Sequence, residues 1–250
     1  MKNKFDCLIF DMDGVLVDVS RSYRKAIELT VNFYLTEKGN AGKISQKEVN
    51  RIKNQPGFNN DWDAAYRLVG LSKRDSKPDG ILPLTEQERN SRIFRKLKRI
   101  FQNFYLGSQL YESIYGKKAG YIVGLGLIEK ESLLIRKNLL LLLKRKYSLA
   151  IATGRPRPEA LYTLRRFELE TGFHADMVVA FEDAAYPKPS PDPLITAAGR
   201  AGGKNCVYIG DTISDIEAAE RAGMFSVYIG KEKMGNLQLK NVNHLKEVFL

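Results

Sequence analysis

Short apolar runs alternate with amphipathic stretches along this chain, and the first run sets how the rest reads. Cys7-Leu8-Ile9-Phe10 is too short for a helix and meets Asp11-Met12-Asp13-Gly14 at once, the pattern of a buried parallel strand that ends in a loop. From Ser20 to Lys38 the positions Tyr23, Ile27, Val31, Tyr34 and Leu35 recur with a helical period, and Gly39-Asn40 marks the stop. Ser45 with Glu48 and Thr85 with Glu88 read as capping boxes that open helices. Asp61 to Val69 predicts a shorter helix closed by Gly70, Arg89 to Arg99 a basic helical segment, and Ser72 to Leu84 a loop rich in Lys, Asp, Pro and Gly. Residues from about 20 to 120 therefore predict helices without a strand.

Beyond Gly126 the pattern changes to alternating helix and strand. Helices are expected over Glu131 to Lys146, from about Pro158, from Pro191 and over Ser214 to Ala222; strands over Ser148 to Ala152, Met177 to Phe181, Cys206 to Ile209 and Phe225 to Ile229. Such alternation is the signature of a parallel sheet wrapped by helices. The first strand lies far from the others in sequence but needs a sheet to pair with. The expected organisation is thus one α/β domain, residues 1–14 and 127–250, with residues 15–126 inserted as an all-helical domain after the first strand.

The strand ends carry polar residues in an ordered series. Asp11 and Asp13 follow the first, Thr153-Gly154 follows Ala152, Lys188 lies in the loop after Phe181, and Asp211 and Asp215 follow Ile209. In open parallel sheets ligands bind beyond the carboxyl ends of the strands, so all of these can face one crevice. The series resembles the haloacid dehalogenase superfamily of phosphohydrolases, whose four motifs are matched in order by DMDGV at Asp11, an apolar strand with TG at Thr153, KPSP at Lys188 and GDTISD at Asp211.

The resemblance implies a Rossmann-like, doubly wound sheet with a helical cap of that family's first class, and Gly14-Val15-Leu16-Val17-Asp18 resembles its small flap. It implies a small-molecule phosphatase similar to phosphoglycolate phosphatases, with Mg2+ as cofactor and a small phosphorylated metabolite as partner. Asp11 would be the nucleophile that forms an aspartyl-phosphate, and Asp13 the acid and base. Asp11 and Asp211 would give carboxylate ligands to the metal, Asp13 its backbone carbonyl, and Asp215 support for the metal waters or for Lys188. Thr153, Gly154 and Lys188 would hold the phosphoryl oxygens. Two carboxylates facing a phosphate repel it, so a cation must join them, and magnesium suits a site of few oxygen ligands. Asp13 must be raised above the free value of about 3.9 to act as an acid, and crowding by negative charge is the expected cause. Arg155 and Asn60 are candidate substrate contacts. In the cluster Asn59-Asn60-Asp61-Trp62 after Pro56-Gly57, helix capping and aromatic packing weigh as heavily as substrate contact.

Composition narrows the alternatives. Hydrophobic residues at 44% and charged residues at 28% are ordinary for a globular protein. The longest apolar run, Leu139 to Leu143, is flanked by basic residues and falls far short of a membrane span. The amino terminus carries no long apolar region before its acidic residues, so a cytoplasmic location is expected. Two cysteines, Cys7 and Cys206, sit in apolar runs that read as buried strands, and two histidines leave little material for histidine catalysis. The formal charge of +11 draws anions in general, so a basic nucleic-acid-binding module stands as the alternative of a different class. A phosphomutase shares all four motifs and stands as the nearer alternative. Dehalogenation is disfavoured because Asp13 supplies an acid/base group which that reaction does not need.

Overall fold

The computed structural model describes residues 4–55, 57–58, 60–72 and 82–250. Pro56, Asn59 and most of the loop expected over Ser72 to Leu84 lie outside the described residues. The chain divides into two compact units, Val19–Glu131 and Met1–Asp18 with Ser132–Leu250.

The Val19–Glu131 unit holds helices α1 (Tyr23–Glu37), α2 (Gln46–Lys53), α3 (Asp61–Leu71), α4 (Glu86–Arg89) and α5 (Arg92–Tyr115). One face of α1 buries Ala26, Ile27, Thr30, Val31, Tyr34 and Leu35, the i, i+4 and i+8 rows of an amphipathic helix. Both capping boxes form: Glu48 accepts from the Ser45 amide at 2.8 Å and Glu88 from the Thr85 amide at 2.8 Å. Two expectations need correction. Gly70 sits inside α3, which runs on to Leu71, because an exposed helical glycine weakens a helix without ending it. The segment Arg89 to Arg99 is broken, since Asn90 closes α4 and the Ser91 hydroxyl accepts from the Phe94 amide to open α5. Within α5, Gly107 leaves the helical region at φ 76°. A Cβ there would come within 2.3 Å of the Gly126 nitrogen, so the close approach of two backbones requires glycine.

The other unit holds strands β1 (Cys7–Phe10), β2 (Val17–Asp18), β3 (Ser132–Leu133), β4 (Ser148–Ala152), β5 (Val178–Val179), β6 (Cys206–Gly210), β7 (Phe225–Ile229) and β8 (Leu237–Leu239). Its helices are α6 (Lys137–Lys144), α7 (Arg157–Arg166), α8 (Asp192–Ala201), α9 (Ile213–Arg221) and α10 (Leu245–Phe249). Six strands form one sheet in the order β5-β4-β1-β6-β7-β8, with every pair parallel. This is the expected Rossmann-like α/β architecture. All four residues of β1 are buried, as a strand covered on both faces requires. Cys7, Ile9, Ala150, Ala152, Cys206 and Tyr208 pack in one cluster with Leu194 and Ala197 of α8 and Ala218 and Ala219 of α9.

Several boundaries differ from expectation. The helix expected from Glu131 begins at Lys137, because Ser132–Leu133 instead pairs antiparallel with Val17–Asp18, and the Leu134 amide extends the ribbon to the Leu16 carbonyl. β5 is shorter than Met177 to Phe181: 3-10 turns cover Ala175–Met177 and Phe181–Asp183, the latter held by Asp183 accepting from the Ala180 amide. The edge strand β8 and the terminal helix α10 were not expected.

What matters for a site is the winding. From β1 the chain moves outwards to β4 and β5, then returns to the other side of β1 for β6, β7 and β8. The direction reverses beside β1, and such a reversal opens a crevice at the carboxyl ends of the strands. Phe10 pairs with Ile151 on one side and with Ile209 on the other. Asp11, Thr153 and Asp211 therefore leave the sheet at nearly one level.

Candidate active site

Asp11 is the first residue past β1 and is 6% exposed. Its Oδ1 lies 3.0 Å from the Lys188 ammonium, which comes from the loop between β5 and α8. Lys188 also meets Asp215 Oδ1 at 2.6 Å and donates to the Tyr208 hydroxyl at 2.9 Å. Asp215 sits in the first turn of α9. Its Oδ2 accepts from the amides of Asp211 and Thr212 at 3.2 and 3.0 Å and from the Thr212 hydroxyl at 2.7 Å. The capping box that opens α9 thus also fixes the Asp211 turn and, through the other oxygen of Asp215, the lysine.

Carboxylate oxygens of Asp11, Asp211 and Asp215 all lie within 4.8 Å of one another. Burial and the Asp215 and Asp13 charges push Asp11 up to about 7, although Lys188 opposes this. Burial, with Asp215 and Asp11, likewise pushes Asp211 up to about 8. Burial also works against ionisation of Asp215, but Lys188 and Thr212 outweigh it and hold its carboxyl below the ordinary value. Burial disfavours the charged form of Lys188, yet Asp11 and Asp215 keep the ammonium well above its usual range. Negative charge is in excess here, and a hard cation would relieve it. The approach to Asp211 is shaped by Gly14, at φ 73°. A Cβ there would fall 1.9 Å from Asp211 Oδ2, so the loop after the two aspartates closes on that carboxylate only with glycine.

Thr153 is buried at the end of β4, and its Oγ1 accepts from the Arg155 amide at 3.2 Å, which leaves the hydroxyl proton as a donor. Gly154 is exposed beside it, with open space where a Cβ would stand. Asp13 faces a different cation from Asp11. The Arg155 guanidinium meets Asp13 Oδ1 at 2.6 Å through both Nε and a terminal nitrogen. The crowding by negative charge expected around Asp13 is thus met by a buried positive charge that sits against it. Arg155 itself is 1% exposed, and its other terminal nitrogen donates to Thr163 at 2.6 Å, so the residue expected to reach substrate points into the protein. Asn60 belongs to the helical unit, where its Oδ1 accepts from the amides of Trp62 and Asp63 and caps α3.

Two participants escaped the sequence reading. Tyr208 stands mid-strand in β6, fully buried, with its hydroxyl 3.0 Å from Asp215 Oδ1 and 3.3 Å from the Ala152 carbonyl. Burial and the Asp215 charge keep its phenol protonated well above the usual range. The available signal was a hydroxyl-bearing ring in an otherwise apolar run flanked by motif residues. Thr212 was the other, legible as the first residue of a capping box with Asp215.

The model of haloacid dehalogenase-like hydrolases matches residues 5–223, most of the chain. The chain belongs to that family. It is an enzyme of the hydrolase class, and the helix-wrapped parallel sheet is the family's fold. Imidazoleglycerol-phosphate dehydratase of Phytophthora nicotianae is 31% identical over 229 residues, which cover 89% of this chain but only 43% of that protein. The chain thus spans less than half the length of that relative. Phosphoglycolate phosphatase of Shigella boydii is 27% identical over 236 residues, covering 90% of this chain and 82% of that one. Among solved structures, phosphatase Tt82 from Thermococcus thioreducens is similar at a TM-score of 0.69 and 28% identity, covering 96% of this chain and 97% of that one. Among the described residues no helix is long and apolar enough to cross a membrane.

Proposed function

We propose that this hydrolase is a magnesium-dependent phosphatase of small phosphate monoesters, with Asp11 as nucleophile and Asp13 as acid and base. One observation carries the reading: a crowded set of carboxylates, Asp11, Asp211 and Asp215, gathers at the reversal point of the sheet beside a protonated lysine paired with Asp11 and Asp215. The all-oxygen donors, the raised Asp11 and Asp211, and the glycine cradle over Asp211 fit a magnesium ion. The Asp11 and Asp211 carboxylates and the Asp13 main-chain carbonyl would hold it, with Asp215 behind them. Bound there, the ion supplies positive charge beside the phosphoryl oxygens.

The residues of the chain do the rest. An Asp11 oxygen attacks phosphorus in line; as that O–P bond forms, the ester O–P bond breaks and the leaving oxygen takes the proton of the Asp13 carboxyl. A water then attacks the aspartyl-phosphate and gives a proton to Asp13, which restores the Asp11 carboxylate and releases inorganic phosphate. Lys188, the Thr153 hydroxyl and the Gly154 amide hold the phosphoryl oxygens as negative charge spreads over them. Asp215 and Tyr208 hold Lys188, while substrate choice falls to the helical insertion, residues 19–131.

The test is phosphate release from a panel of phosphomonoesters, with and without Mg2+. The panel includes phosphoglycolate, sugar phosphates and imidazoleglycerol phosphate, the first and last taken from the names of the two relatives. Native protein should release phosphate from at least one with Mg2+, and Asp11→Asn should lose that activity by about 10^3-fold or more. Full activity in Asp11→Asn would refute the reading. Isomerisation of a sugar phosphate without release would identify a phosphomutase instead.

A further inference from the structure

The two aspartates of the β1 loop are held by different cations, and the second is held in an asymmetric way. Asp11 faces Lys188, whereas Asp13 faces Arg155. Two guanidinium donors, Nε and a terminal nitrogen, converge on Asp13 Oδ1 at 2.6 Å. Both donors take the same oxygen, and the Asp13 side chain keeps 30% of its surface exposed. One oxygen is clamped in a side chain that is still partly exposed.

The clamp is itself rigid. The Arg155 side chain is fully buried, its second arm donates to Thr163 on α7, its amide donates to Thr153, and its carbonyl accepts from the Phe181 amide at 2.9 Å. A buried guanidinium carries a desolvation cost that only paired, hydrogen-bonded surroundings offset. A tie between β4 and α7 would need no charge. The guanidinium also meets a carboxylate 142 positions away in sequence, on the loop that bears Asp11.

We propose that Arg155 is the positioning residue for Asp13. By anchoring Oδ1 it fixes the plane of the carboxyl, so that Oδ2 is the oxygen through which the proton passes to the leaving group and from the water. This rests on the phosphatase reading and adds to it a specificity consequence. An alkyl leaving group, which needs the proton as its O–P bond breaks, depends on the clamp; a nitrophenyl leaving group, stable as the anion, depends on it little.

The experiment compares kcat/KM of native protein and variants on an alkyl phosphate of the active panel and on p-nitrophenyl phosphate. In Arg155→Met the ratio of alkyl to aryl kcat/KM should fall by about 30-fold or more, within the range general-acid catalysis commands. Arg155→Lys, which keeps charge with shorter reach, should fall between. The inhibition constant of inorganic phosphate should change by less than about twofold, since the guanidinium is engaged by Asp13 and Thr163. In an Asp13→Asn background the added Arg155→Met change should leave the ratio where Asp13→Asn alone put it. The double variant removes both charges of the pair, so it remains informative if Arg155→Met alone unfolds. Equal losses on both substrates, a tenfold weaker phosphate inhibition, or additive losses in the double variant would overturn the proposal and leave the phosphatase reading intact. Absence of phosphate release by the native protein from any substrate would sink both.

Discussion

In the α/β unit the buried polar side chains converge, whereas in the helical unit they are dispersed. Asp11, Thr153, Arg155, Thr163 and Asp215 are each under 9% exposed and belong, with Lys188 and Tyr208, to two linked clusters at the ends of β1, β4 and β6. Ser22, Asp63, Asn103 and Glu131 of the helical unit are equally buried, but they serve three separate joints. Asp63 ties α3 to Arg89 of α4, Asn103 holds the turn at Gly120 and Tyr121, and Glu131 collects the hydroxyls of Ser22 and Tyr105. Dispersed polar pairs satisfy the backbone and fix helix ends. Converging ones crowd like charge, which bound protons or a cation must offset. The difference separates a unit whose buried polar groups meet at one place from one whose buried polar groups hold its helices together.

The largest expected effect tests whether the convergent set acts on every substrate alike. Lys188→Met removes the cation shared by Asp11 and Asp215. Steady-state kinetics should show kcat lower by about 10^2 to 10^3-fold, the scale set by removal of one electrostatic stabiliser of a transition state. The loss should be uniform across the substrates that the native protein hydrolyses. A loss confined to one substrate would mean that Lys188 reads the leaving group, and the division of labour between the units would break.

The next effect uses the opposite pH behaviour of the two units. Burial raises Asp11 to about 7 and Asp211 to about 8 in the folded protein. Between the unfolded value near 3.8 and these values the native state binds more protons, so their stabilising contribution is complete at low pH and is lost as pH rises through 7 and 8. In the helical unit burial opposes ionisation of Glu28 and Glu88, but Lys25 and Gln46, and Thr85 and Arg67, outweigh it and hold both carboxyls below 4.5. Their contribution is present above 4.5 and lost as pH falls below it. Metal-free protein should therefore melt lower at pH 8.5 than at pH 5.5, by several °C on the scale of about 2–4 °C per kcal/mol. Added Mg2+ should raise the melting temperature more at the higher pH, where it meets ionised ligands. An equal Mg2+ shift at both pH values would remove Asp11 and Asp211 from the metal site.

The same contrast explains what was legible in the sequence. β1, β4 and β6 read correctly because strands covered on both faces are uninterrupted apolar runs, and their ends located Asp11, Thr153 and Asp211. The ribbon of Val17–Asp18 with Ser132–Leu133 did not, because two-residue strands carry no period and their pairing is set by contacts distant in sequence. Nor did β8, a sheet edge whose three residues are all only half-buried. The position of Arg155 beside Thr153 was visible, but its direction was not: the partners that turn it inwards, Asp13 and Thr163, come from another loop and from a helix. Tyr208 looked apolar because its ring is, while its hydroxyl acts at the one point where Lys188 and Asp215 meet.

The smallest expected effect falls on Asn60, where the comparison can fail from the other side. Its Oδ1 accepts from the Trp62 amide at 2.9 Å and the Asp63 amide at 3.2 Å, which satisfies two of the four amides that a helix start leaves without partners. As a cap, its value lies in helix stability alone. Asn60→Ala should then cost about 1 kcal/mol in chemical denaturation, and Asn60→Asp, an equally good cap, should restore most of it. Both variants should keep the native order of kcat/KM across the substrate panel. If Asn60 instead touches substrate, Asn60→Ala will reorder the panel with little change in stability, and Asn60→Asp, which sets a negative charge before a phosphate, will be the worse of the two. The pair of variants separates the roles because capping tolerates the carboxylate and phosphate recognition does not.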